Sequence, residues 1–80
     1  MQRTIYSKEY QHFLALMIEA RTEAGITQIE LAKKLKKPQS FVCKYEIGER
    51  RLDIIEFLTV CKALKIDAKK ILAKLLKRYP

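Results

Sequence analysis

Only four residues of this 80-residue sequence are glycine or proline, and three of the four stand where one helical pattern gives way to the next. Gly25 follows a long periodic segment, Gly48 ends another, Pro38 opens the segment between them, and Pro80 is the last residue. Sparse punctuation between segments of 3.6-residue period points to helices joined by tight turns. The length suits one domain and leaves little room for a deep catalytic cavity. No repeat, low-complexity stretch or long linker interrupts the chain, apart from a short N-terminal arm, Met1 to Tyr6.

Five helices are expected. The first runs from the N-cap Ser7 to about Ala24, with Gly25 in the left-handed position that stops it. Tyr10, Phe13, Leu14, Met17, Ile18 and Ala24 fall on one face, and Arg21 lies in the middle of it. A guanidinium on an apolar stripe is costly unless paired, so the fold must supply a carboxylate. The second helix opens on Thr27-Gln28-Ile29-Glu30, a capping box, and turns Leu31, Ala32 and Leu35 toward the core. Lys36-Lys37-Pro38 makes a turn of about three residues. The third helix then runs from Pro38 or Gln39 to Ile47, stopped by Gly48. Asp53-Ile54-Ile55-Glu56 is a second capping box and starts a fourth helix lasting to about Lys65, with Ile54, Leu58, Cys61 and Leu64 as its core candidates. The fifth runs from the N-cap Asp67 to about Arg78. There Ala68, Ile71, Leu72, Leu75, Leu76 and Tyr79 oppose Lys69, Lys70, Lys74, Lys77 and Arg78.

The net charge is +8, from 17 Lys and Arg against 9 Asp and Glu, which favours a polyanionic partner, either nucleic acid or an anionic membrane, although charge alone does not exclude a merely solvated surface. About half the residues are apolar, enough for a packed core and with no run near the ~20 that a membrane span requires. The first residues lack a signal-peptide core, so a cytoplasmic protein without a membrane role is expected. Cys43 and Cys61 form no CxxC pair and suggest reduced thiols rather than a zinc site or a disulfide. His12 lies away from the centre of its helix's apolar face and reads as a surface residue. Glu30 and Glu56 are explained as caps. No constellation for catalysis, metal or cofactor is present, and an enzyme is not expected.

The third helix carries the most information. Phe41, Val42 and Tyr45 cluster on one side, and Gln39, Ser40, Cys43 and Lys44 on the other. One side anchors; the other offers an amide, a hydroxyl, a thiol and an ammonium, groups suited to base edges, although an ordinary amphipathic helix would show the same split. The ordered set Arg21…Gly25-Ile26-Thr27-Gln28-Ile29-Glu30-Leu31-Ala32, Pro38-Gln39-Ser40-Phe41-Val42, Tyr45-Glu46-Ile47-Gly48-Glu49-Arg50-Arg51 and Ala63-Leu64 adds to it. This set resembles the helix-turn-helix domain of phage repressors and Cro proteins, an XRE-like family, over roughly Phe13 to Leu72.

The resemblance implies an all-α, five-helix, lambda-repressor-like domain in which Gln28 holds a backbone phosphate. Gln39 and Ser40 contact bases, joined by Lys44 one turn further on. It also pairs an Arg of the first helix with the Glu ending the third, so Arg21 should meet Glu46. Lys37, Arg50 and Arg51 are further phosphate candidates. The chain departs from the family pattern in three places. Lys36 stands where the turn often has Gly and should be left-handed at a small cost. Ile29 replaces a polar residue and should be exposed. Cys43 stands where Ser is common; it reads as a small residue, with a redox switch the lesser alternative because nothing activates the thiol.

The function expected is sequence-specific binding of double-stranded DNA as a bacterial or phage transcriptional regulator. The chain would act as a homodimer on two half-sites, touching through Leu72, Leu75, Leu76 and Tyr79. The alternative is an antitoxin-type or other module that holds a protein partner such as a toxin or polymerase. A membrane-surface role for the fifth helix is disfavoured by its shortness, and RNA binding by the lack of an aromatic stacking platform.

Overall fold

The computed structural model describes residues 7–79, so the expected N-terminal arm, Met1 to Tyr6, lies outside the described residues. Five helices follow in order: α1 (Lys8–Glu23), α2 (Gln28–Leu35), α3 (Gln39–Glu46), α4 (Ile54–Leu64) and α5 (Ala68–Lys77). Each of the four expected N-caps forms. The Ser7 hydroxyl accepts from the Tyr10 amide at 3.1 Å, and Asp67 accepts from the Lys69 amide at 2.9 Å. Both capping boxes close reciprocally: Thr27 and Glu30 at 3.0 and 2.8 Å, and Asp53 and Glu56 at 2.7 and 2.9 Å. Pro38, at the N-cap position before α3, supplies no side-chain cap.

Four helices end on a residue of positive φ: Gly25 (72°), Lys36 (58°), Gly48 (86°) and Lys65 (59°). In each case the amides that follow turn back onto the last carbonyls. After α2, for example, the Lys36 amide donates to Lys33 O at 3.1 Å and the Lys37 amide to Ala32 O at 3.0 Å. A lysine in this region crowds its Cβ against the next carbonyl at a cost of about 1 kcal/mol. The left-handed Lys36 matches expectation. Lys65 does not, because no glycine marks that stop.

α1 packs on α5 and on α3, and α2 packs on α3 and α4. The core holds Leu14, Leu16 and Met17 of α1, Leu31 and Ala32 of α2, Val42 and Tyr45 of α3, four residues of α4 and Ile71 of α5. Phe13 meets Phe57 edge-on, with centroids 5.5 Å apart. Because α1 serves two neighbours, its buried surface is wider than one stripe, which explains why Leu16 is buried although it lies off the expected face. Ala24, expected on that face, is exposed just past the helix end.

α4 requires a larger correction. Phe57, Val60, Cys61 and Leu64 are buried, whereas the expected core residues Ile54 and Leu58 are 60% and 46% exposed. The sequence there is apolar nearly all round, so it fits two helical faces, and packing against Phe13 selects the one through Phe57. α5 buries only Ile71 fully. Ala68 and Leu75 pack partly against the core, and Leu72, Leu76 and Tyr79 are exposed. Leu75 is therefore largely occupied within its own domain and contributes less free surface than the other three expected dimer residues. His12, expected at the surface, is half-buried, and its Nε2 is shielded from solvent with no hydrogen-bond partner among the described residues.

Candidate nucleic-acid interface

The second and third helices and the turn between them form one unit whose outer surface is basic. α3 is fixed from behind: Val42 and Tyr45 are fully buried, and the half-buried Phe41 meets the Tyr45 ring edge-on at 5.8 Å. With that side committed, Gln39, Ser40 and Lys44 are exposed together on the opposite side, and Cys43 is half-buried beside them. The missing cap at Pro38 leaves the first amides of α3 beside Gln39 and Ser40, where the helix carries its partial positive charge.

Arg21 and Glu46 meet as the resemblance implied. The Arg21 Nε donates to Glu46 Oε2 at 2.7 Å and Nη2 to Oε1 at 3.2 Å. A further donor, Nη1, reaches the Ile26 carbonyl at 2.8 Å. The two side chains are only 13% and 4% exposed. The bond to Glu46 raises the Arg21 pKa above its ordinary value despite partial burial.

Gln28 does something the sequence did not announce. Its Nε2 donates to Glu46 Oε1 at 2.8 Å, so the amide expected to face a phosphate is already tied to the end of α3. Glu46 thus joins α1, α2 and α3. The residue at the start of α2 and the glutamate ending α3 lie too far apart in sequence for any local pattern to pair them.

Arg50 is similarly engaged. Its guanidinium donates twice to Glu56, at 3.0 and 2.7 Å, and once to the Arg51 carbonyl at 3.0 Å, and it lies 4.8 Å from the Phe41 ring centroid. The fork from Arg50 and the Asp53 amide hold the Glu56 carboxyl down to about 2, while the same bond raises Arg50. Glu56, expected as a cap, is therefore a cap and an ion-pair partner at once. Of the four phosphate candidates, Lys37 and Arg51 are the more available. Both are exposed, Lys37 with its Nζ 5.4 Å from the Phe41 ring and Arg51 stacked 4.7 Å from Tyr10. Tyr10 in turn accepts a hydrogen bond from the Leu52 amide at 3.1 Å, fixing the loop that carries Arg51.

The remaining chemistry is modest. Burial pushes the Cys61 thiol up to about 11, consistent with a small apolar core residue. The Tyr45 hydroxyl is raised by burial as well and has no partner among the described residues. Ile29, expected to be exposed, is 51% so. Among the described residues no three His, Cys, Asp or Glu side chains come together as a metal site, and no helix is long and apolar enough to cross a membrane. An open groove of about 350 Å³ lies between α1 and α5, away from α3.

With this geometry in place, two comparisons converge. The helix-turn-helix family model matches residues 17–71, from Met17 in α1 to Ile71 in α5. The chain belongs to the XRE-like helix-turn-helix family. The solved structure of an XRE-family like protein from Pseudomonas syringae pv. tomato str. DC3000 is 51% identical to it, with a TM-score of 0.88, over 96% of this chain and 94% of that one. No curated protein matches. As a member of the XRE-like family the chain is a DNA-binding regulator, a class that works by binding rather than by catalysis.

Proposed function

We propose that this XRE-like protein is a bacterial or phage transcriptional regulator that binds duplex DNA sequence-specifically as a homodimer, with α3 in the major groove. The observation that carries the reading is the division of α3. Its anchors Val42 and Tyr45 are fully buried, and Gln39, Ser40 and Lys44 are exposed together. Gln pairs with adenine and Lys with guanine in the major groove, and a small Ser lets the backbone approach. Gln28, Lys37 and Arg51 hold phosphates around that helix. Arg50 does so only with the part of its guanidinium that Glu56 leaves free. Such a protein works in the cytoplasm, where DNA is its partner and no cofactor is needed.

One recognition helix spans few base pairs, so specificity calls for two half-sites about 34 Å apart. Leu72, Leu76 and Tyr79, exposed on α5, are the proposed contact, with Leu75 at its edge. A second reading, a module that also holds a toxin or polymerase, draws on Ile54, Ile55 and Leu58, which are exposed on α4.

Selection of bound duplexes from a random pool tests the proposal, followed by titration of the selected site at several salt concentrations. The reading expects a two-half-site sequence and a slope in log K against log salt of about −0.9 for each phosphate neutralised. Failure to select any duplex at low salt would favour the protein-partner reading.

A further inference from the structure

Glu46 accepts from two residues that differ in kind. Arg21 is a core partner, held also by the Ile26 carbonyl at 2.8 Å. Gln28 sits half-buried at the start of α2, on the basic surface. The distance from Gln28 Nε2 to Glu46 Oε1 is 2.8 Å, and the same oxygen takes the second bond of the Arg21 fork at 3.2 Å.

We propose that Glu46 positions the Gln28 amide for the DNA backbone, so that the buried Arg21–Glu46 pair serves binding as well as folding. The inference rests on Gln28 being a phosphate contact, as proposed above. A primary amide is planar and has two N–H groups, so fixing the direction of one fixes the direction of the other. With one N–H donated to Glu46, the remaining N–H is the donor left for a phosphate oxygen. A glutamine free to rotate loses considerable side-chain entropy when it is immobilised at an interface. Here that ordering has already taken place in the free protein. Glu46 suits the task because it cannot wander: its carboxylate is 4% exposed and forked by Arg21. Its charge, which would otherwise repel the phosphate, is neutralised by that same Arg21. Glu46 is thus a positioning residue that acts through Gln28 and itself touches no DNA.

A cycle of affinities on the whole chain separates this role from a purely structural one. Gln28→Ala is measured in the wild type and in a background where Arg21→Met and Glu46→Leu are combined, a change that removes both charges and strands neither. Lys37→Ala, a phosphate candidate with no bond to Glu46, is measured alongside in both. Binding to the selected duplex is read at a temperature where circular dichroism shows every variant folded. Gln28→Ala is expected to lose roughly tenfold in affinity in the wild type and no more than about twofold in the paired background, whereas Lys37→Ala loses the same factor in both. Equal losses from Gln28→Ala in the two backgrounds would overturn the inference and leave the phosphate contact standing. No loss in the wild type would remove the contact and the inference together. If the paired background does not fold, side-chain amide relaxation by NMR decides on the wild type. A Gln28 amide that is rigid both free and on DNA supports positioning, and one that is mobile in the free protein overturns it.

Discussion

Arg21 shows how one residue can constrain a fold. Its guanidinium lies on the apolar stripe of α1, and the fold answers with Glu46, 25 positions away in sequence, at 2.7 Å. Removing either partner leaves a charge with little access to water, at a cost of about 3 kcal/mol. Arg21→Ala and Glu46→Ala should therefore each lower stability markedly in urea melts, and the double variant should lose less than the sum; strict additivity would mean that the two groups do not interact in solution. Tyr45 makes the opposite case. Its ring is fully buried, but its hydroxyl has no partner among the described residues, so burial there costs free energy without return. Tyr45→Phe should leave stability unchanged or raise it by up to about 1 kcal/mol, and a clear loss in the melts would reveal a hydrogen bond formed in solution.

Among the elements, the loop joining α3 to α4 carries the clearest pH dependence. Arg50 forks onto Glu56 while Glu56 caps α4. The Glu56 carboxyl is lowered from an ordinary value of 4.5 to about 2. Such a group stabilises the fold fully above about 4.5, and that contribution disappears as the pH falls toward 2. Because Arg50 is 41% exposed, solvent screens the ion pair and leaves it a small share of that contribution. Glu56→Gln should lower stability at neutral pH and flatten the acid limb between these two values. Some slope remains from Glu30, which is also lowered, by its bonds to Thr27. An unchanged acid limb in pH-dependent melts would show that the pair is not formed.

The same elements show what the sequence could convey. Helix starts and stops were legible wherever a residue type has a local reason to be there: Ser7, Thr27, Asp53 and Asp67 as caps, Gly25 and Gly48 as left-handed stops. The Lys65 stop was not, since positive φ is uncommon for a lysine and nothing in the residue type announces it. Nor was the buried face of α4, where apolar residues on several sides give packing the deciding role. The exposed set Gln39, Ser40 and Lys44 was legible because its opposite side is so plainly apolar. The bonds from Gln28 to Glu46 and from Arg50 to Glu56 were not, because each joins two elements through side chains that also have ordinary surface roles.

At the scale of the whole molecule, the +8 charge explains attraction to DNA but not selection of a site, which the proposed function assigns to α3 and to a second copy of it. Leu76 is 68% exposed on α5, more than any other large apolar residue of the described chain. Leu76→Asp should weaken self-association and operator affinity together while leaving the melt of the monomer nearly unchanged. Sedimentation showing a monomer at high micromolar concentration, both free and on DNA, would contradict the dimer. The measurement that bears most directly on the central claim compares affinity for the selected operator with affinity for a scrambled duplex, in the wild type and in Gln39→Ala and Lys44→Ala. Both side chains are exposed on α3 away from its anchors, so both variants should fold as the wild type does. Each should give up about 1–3 kcal/mol of preference for the operator, while Arg51→Ala weakens both duplexes alike and lowers the salt slope by about one unit. Folded Gln39→Ala and Lys44→Ala proteins that keep the full operator preference would show that α3 does not read the sequence.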